Sequence, residues 1–276
     1  MRILALLILV LLPALPARAQ TEAAAPAAAS ADGQGLRDFC ADRPGKATPP
    51  CILDAGHVQI ETALADAVFR RSGGVHSETY SLGASEVRLG LTSRLEAEVA
   101  WTPLIVEHQR GAPNVTGVGD LTVGARWALT NPDAKDGVAV SVQGFVNAPT
   151  ATHGLGAGGW SGGVRMPITS PLLNGVGFGL GLTPEVDVVR NAAGGGVHMA
   201  ASTTVSITRG FGDTTLGAEL WGQVDDDPAA RTYQASFDLI AARAVGKNSQ
   251  LDAGLNLALN RNTPDVEVYF GIAHRF

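Results

Sequence analysis

The chain has 276 residues, 45% of them hydrophobic, and a formal net charge of −6. That charge, with lysine confined to Lys46, Lys135 and Lys247, argues against a nucleic-acid binder, which neutralises phosphates with clustered basic side chains. No stretch beyond residue 20 holds the run of roughly 18 apolar residues a membrane helix needs, so any membrane crossing falls to strands.

Residues 1–19 read as a secretory signal peptide. Arg2 gives the positive start, residues 3–15 an apolar stretch too short to span, and Ala17-Arg18-Ala19 a small-x-small cleavage site. Residues 20–54 read as a flexible periplasmic leader, rich in Ala, Pro and Ser at first and then carrying CADRPGKATPPC. Cys40 and Cys51 are the only cysteines, and an oxidising compartment after export makes a disulfide the expected state. A zinc site would need more ligands than the nearby His57 supplies, so no metal or cofactor is expected.

From residue 55 to 276 the apolar residues alternate with period two. Leu121, Val123, Ala125, Trp127 and Leu129 oppose Asp120, Thr122, Gly124 and Arg126. Val176, Phe178, Leu180, Leu182, Val186 and Val188 oppose three glycines, Thr183, Glu185 and Asp187, with Pro184 in step. The same holds for 233–239, 251–259 and 266–273. One face is nearly free of charge, as lipid requires, because a Lys or Arg there costs roughly 2–4 kcal/mol at mid-membrane. Ladder hydrogen bonds must also close on themselves in lipid. The reading is all-β: a transmembrane antiparallel β-barrel of about twelve strands, each needing about 9–11 residues to span.

Compact turns are expected at 92–94, 131–137, 169–174, 209–213 and 246–250. Longer connections are expected at 69–76, 108–117, 149–159, 190–197, 224–231 and 260–264. Two segments fit poorly. Tyr80 and Leu82 are out of phase with Val87, Leu89 and Leu91, which a β-bulge would explain; Asp66 falls on the apolar face, where a position beyond the lipid would explain it. Trp101, Trp127, Trp160 and Tyr233 fall on lipid faces near strand ends, as interfacial residues do.

The last strand, VEVYFGIAHRF, ends in Phe276 and is similar to the insertion signal read by the barrel-assembly machinery. More specifically, RPGKATPPCILDAGHVQIE (43–61), GVGDLTVGARW (117–127), LTPEVD (182–187) and the final 26 residues, 251–276, resemble the outer-membrane family labelled "putative MetA-pathway of phenol degradation". That resemblance spans the mature chain and implies a transport role linked to aromatic compounds. It brings no established binding residues.

The residues expected to line a pore are Arg88, Asp120, Arg126, Arg165, Glu185, Asp187, Glu219, Trp221, Asp238, Asp252, Glu267, Tyr269 and Arg275. Either they filter solutes by charge, with an acidic excess favouring cations, or they pair across a filled interior. Trp221 and Tyr269 are the residues suited to contact an aromatic solute. The expected partners are outer-membrane lipid, the assembly machinery and a small-molecule solute. A hydrolytic barrel would need a Ser and His one strand apart on the lipid face, and no G-x-S-x-G elbow occurs, so catalysis is not expected. A structural or adhesion barrel would need long outer loops, which the sequence lacks.

Overall fold

A computed structural model describes residues 35–134, 137–172, 177–193 and 195–276. The expected signal peptide and the first part of the leader lie outside the described residues. Fifteen strand segments follow: β1 (Val58–Ser72), β2 (Val75–Gly90), β3 (Leu95–Trp101), β4 (Leu104–Gln109), β5 (Val115–Gly117), β6 (Leu121–Ala128), β7 (Ala139–Ala148), β8 (Ser161–Arg165), β9 (Ile168–Leu172), β10 (Phe178–Arg190), β11 (Val197–Phe211), β12 (Thr214–Asp225), β13 (Thr232–Ala244), β14 (Ser249–Ala258) and β15 (Val266–Arg275).

β3/β4 and β8/β9 are each one barrel strand interrupted midway, because both halves pair with the same neighbouring strands, and β5 and β6 are likewise in line, set against β4 and β3. The fifteen segments are therefore twelve antiparallel strands. Pairing of β1 with both β15 and β2 closes the sheet into a barrel, as ladder hydrogen bonds in lipid require. Phe276 finishes the seam, its N–H donating to the Val58 carbonyl at 2.8 Å.

Two of the three breaks, β3/β4 and β8/β9, have a chemical cause. Pro103 follows β3 and Pro167 precedes β9, and neither can donate to a ladder. Pro184 of β10 faces the β8/β9 gap, where its carbonyl accepts from the Met166 N–H at 3.0 Å. The sheet thus gives up its rungs where two prolines coincide.

The phase change expected in β2 is present. Leu64 of β1 and Gly83 of β2 are skipped in the register, and Gly83 has φ +71, which a glycine adopts freely. Leu82 and, beyond the bulge, Val87 and Leu89 all point outward. The same bulge corrects the reading of Asp66. It is not an outward residue beyond the lipid; it pairs with Tyr269, whose ring is buried in the interior.

The distribution of polarity is inverted relative to a soluble protein. Arg88, Arg126, Gln59, Glu61, Glu96, Glu219 and Asp238 are among the largest fully buried side chains, while Val99, Val146, Val205, Leu220 and Phe270 stand exposed. Trp127, Trp160 and Tyr233 are exposed near barrel ends as expected. Trp101 is also outward, but it sits mid-wall beside the β3/β4 break rather than at an end. Leu220→Arg would place a charge on that mid-wall surface. It is expected to cost roughly 2–4 kcal/mol in lipid, read as a lowered denaturant midpoint in vesicles.

Two connections differ from expectation. The segment 69–76 is mostly strand, closed by a two-residue turn in which Gly73 and Gly74 have φ +59 and +82. Such φ values match the twist of a tight hairpin. Residues 169–172 belong to β9 rather than to a turn.

Candidate functional site: the occluded lumen

The largest departure from the sequence reading concerns residues 35–54. The segment is not a free leader. It enters the barrel at the end where Phe276 lies (the proximal end), reaches mid-lumen and returns to β1. Its rich content of Pro44, Pro49 and Pro50 keeps it out of helix and strand, so its backbone groups need partners from the wall. They find them. The N–H groups of Asp42 and Arg43 donate to Glu61 at 3.1 and 3.0 Å, those of Lys46 and Ala47 to Glu219 at 2.7 and 3.3 Å, and that of Leu53 to Glu96 at 2.8 Å.

The side chains lock it further. Arg43 pairs with Asp252 at 2.8 Å and Lys46 with Asp238 at 2.9 Å. Asp42 forms a paired contact with Arg126 and lies 3.2 Å from Arg88. Cys40 and Cys51 are joined by a disulfide. Both of their carbonyls accept from Arg88, at 3.1 and 3.2 Å. At the proximal rim Arg37 donates to Asp133 at 2.7 Å and to the Ser93 carbonyl at 3.0 Å, tying two turns to the segment.

Cross-strand register explains why the wall needs this insert. Glu219 lies directly opposite Asp238, and Glu61 opposite Glu86. Like charges on one rung repel. Lys46 fits between Glu219 and Asp238, and Arg88 reaches Glu61 at 3.0 Å and Glu96 at 2.8 Å. A buried ionic network is favourable only when each member is paired. The segment supplies the cation for the Glu219–Asp238 rung through Lys46; on the other rung Arg88 of the wall itself serves Glu61, and among the described residues Glu86 is left without a partner.

Most of the expected pore-lining residues therefore bind the segment. Arg88, Arg126, Glu219, Asp238 and Asp252 do so as described. Arg165 donates to Thr48 Oγ1 at 3.2 Å and pairs with Glu185 at 2.9 Å. Arg275 donates to the Arg37 carbonyl at 2.7 Å. Lys46 lies 5.4 Å from the centre of the Trp221 ring, and Arg43 lies 5.6 Å from that of Tyr269. Four others stand apart. Among the described residues Glu185 pairs only with Arg165 of the wall. Glu267 accepts from Asn256 at 2.6 Å, and Asp187 lies opposite Gly163, where a side chain would collide with it. Asp120 sits at the β5/β6 break and accepts the N–H groups of Ala151 and Ala157, both at 2.9 Å; it anchors the 149–160 loop.

Sequence reasoning missed Gln59, Glu61, Glu86, Glu96, Glu98 and Gln143 on the wall, and Asp42, Arg43 and Lys46 on the segment. Glu96 and Glu98 alternate with Leu95, Ala97 and Val99, which was the available signal.

The segment divides the space inside the barrel. Toward the distal end a cavity of about 410 Å³ is lined by Glu86, Arg165, Glu185, Ser202, Thr204 and Trp221. Toward the proximal end lies one of about 360 Å³, reached by Thr208, Thr215, Ala242 and Gln250. Asp42, Arg43, Pro44, Gly45 and Thr48 line both. Of the two aromatic candidates, Trp221 meets the open distal cavity and Tyr269 is buried beneath Arg43.

Burial alone would raise the Asp42 pKa; the charges of Arg126 and Arg88 and the hydrogen bond from Arg126 outweigh it and hold it at about 2. Because the docked value lies below the ordinary 3.8, this carboxylate stabilises docking fully above about pH 4. That stability is lost as pH falls toward 2. Amide protection in residues 42–47, as read by hydrogen exchange, is therefore expected to decline between pH 4 and 2.

Comparison with known proteins supports the fold. An outer membrane channel from Pseudomonas putida F1 superposes with a TM-score of 0.66 at 15% identity, covering 85% of this chain and 99% of that one. The β domain of the Bordetella autotransporter BrkA gives 0.53 at 14% identity, covering 81% and 100%. Both likenesses are of fold: an outer-membrane β-barrel. No curated protein matches the sequence. The family model described as "Putative MetA-pathway of phenol degradation" matches residues 41–276, from the stapled segment to the last strand, and the chain belongs to that family.

Proposed function

We propose that this protein is an outer-membrane channel for passive passage of small solutes, held closed by residues 37–54. The observation that carries the reading is the pair of cavities, about 410 and 360 Å³, separated by a segment that lines both. The polar wall of the distal cavity suits hydrated solutes, and no ion gradient across this membrane is available to drive active transport. The proximal end faces the periplasm in this reading, the lipid belt meets the outer membrane, and Phe276 serves the assembly machinery. Reconstitution of the full chain in planar bilayers tests it. Discrete, small conductance steps support a gated channel, and a folded barrel that never conducts refutes it.

A second reading, entry of aromatic or apolar solutes through the wall, has its own support. An apolar groove of about 520 Å³ on the outer face is lined by Phe145, Trp160, Val164, Val186 and Val188, beside Gly162 and Gly163. Phe145 also borders an interior cavity of about 190 Å³, so the wall is thin there. The family's description links it to phenol breakdown, which agrees with an aromatic solute. Uptake of a labelled phenol into vesicles that show no conductance would favour this route.

The protein is read as non-catalytic. The Ser249 hydroxyl lies 2.7 Å from His274 Nδ1, but among the described residues no carboxylate orients that imidazole, and Phe276 packs edge-on against it at 4.5 Å.

A further inference from the structure

Among the described residues, Glu86 is a lumen carboxylate without a partner that borders open space; Asp66 and Asp187 also lack a partner but border none of the cavities that Glu86 does. Glu86 projects from the middle of β2, two residues before Arg88, and lies opposite Glu61 on one side and Ala100 on the other. Its carboxylate is within 4.8 Å of those of Asp42 and Glu98. Those two neighbours are compensated, since both pair with Arg126. Glu61 is compensated by Arg88. Among the described residues Glu86 has no ion-pair or hydrogen-bond partner. The cations around it are taken: Arg165 by Glu185 at 2.9 Å, Lys46 by Asp238 at 2.9 Å and Arg43 by Asp252 at 2.8 Å.

Its position adds to this. Glu86 borders the distal cavity of about 410 Å³ and two side cavities of about 190 and 260 Å³, and among the described residues no other borders all three. It is half-buried, so its charge is felt through a medium less screening than bulk water yet is reachable from the open space. An uncompensated carboxylate at such a junction attracts a cation and repels an anion.

We infer that Glu86 sets the charge selectivity of the pore by holding a permeating alkali or small organic cation at the meeting point of these cavities. The inference rests on the channel reading above and names the residue that would discriminate within it. Solute approaching the segment from the distal side passes this carboxylate, so its charge is sampled before the segment is met.

The test is the reversal potential of the full chain in planar bilayers across a tenfold KCl gradient, buffered at about pH 9 so that the lumen carboxyl groups are ionised, with Glu86→Gln and Glu86→Lys beside the unchanged protein. Glu86→Gln keeps the shape and removes the charge; folding of each variant is checked by heat-modifiable gel mobility. The expected result is a K⁺ preference in the unchanged protein, a several-fold fall in the K⁺/Cl⁻ permeability ratio toward one in Glu86→Gln, and inversion in Glu86→Lys. Asp226→Asn, on an exposed distal loop, should leave the ratio unchanged. Conducting channels whose ratio is the same with and without the Glu86 charge overturn the inference and leave the channel standing. Folded protein that never conducts overturns both.

Discussion

Replacing Arg126 with alanine should unseat the lumenal segment and raise single-channel conductance several-fold. Arg126 is fully buried, holds both Asp42 oxygens, and donates to the carbonyls of Pro49 at 3.0 Å and Cys51 at 3.3 Å. It also pairs with Glu98 at 2.9 Å and lies 3.6 Å from Glu96. Without it, Asp42 would face Glu86 and Glu98 with only Arg88 to offset them. Removing one partner of a buried pair costs about 3–5 kcal/mol, because the remaining charge is stranded. The barrel retains its backbone ladder, so the loss falls on docking: the segment can leave for water, where Asp42 is solvated. Arg126→Lys keeps the charge but not the planar fork and should lie between. Unchanged conductance in Arg126→Ala would show that this arginine does not secure the segment.

The second large effect is expected from the paired substitution Cys40→Ser, Cys51→Ser. Closing a loop with a sequence separation of 11 removes conformational entropy from the free segment, worth about 3 kcal/mol in the chain-entropy account. The bridge also holds two carbonyls side by side, and the Arg88 guanidinium bonds both. Once the bridge is opened, Arg88 keeps Glu61 and Glu96 but must find its carbonyl acceptors in a looser chain. The double variant should open more often than the native protein, and a reductant added to the proximal side should produce the same change in the native protein alone. A reductant effect that persists in the double variant would assign the change elsewhere.

Much of the wall could be read from the chain. Alternation in β6, β10, β13, β14 and β15 gives the faces directly, since a period of two assigns every side chain once one is placed. The phase slip between Leu82 and Val87 even marked the bulge at Gly83. Asp66 defeated the same logic because its slip arises from Leu64, an apolar residue that looks regular in β1. The segment was illegible for another reason. Prolines and mixed charges between Cys40 and Cys51 describe a solvated loop equally well. The evidence that it belongs inside lies in the wall, where Glu219 faces Asp238 and Glu61 faces Glu86. Those juxtapositions exist only once strand register is known, so the demand for Lys46 between Glu219 and Asp238 was hidden in a one-dimensional view. Glu86 was missed for the same reason, as it is defined by what its neighbours have already used.

Backbone hydrogen exchange followed by mass spectrometry on the full chain in lipid nanodiscs bears most directly on the claim that residues 37–54 reside in the barrel. The amides of Asp42, Arg43, Lys46, Ala47 and Leu53 donate to wall carboxylates, so peptides covering 42–53 should exchange far more slowly than an unstructured chain. Exchange of those peptides at the rate of a free, solvated loop would contradict the account.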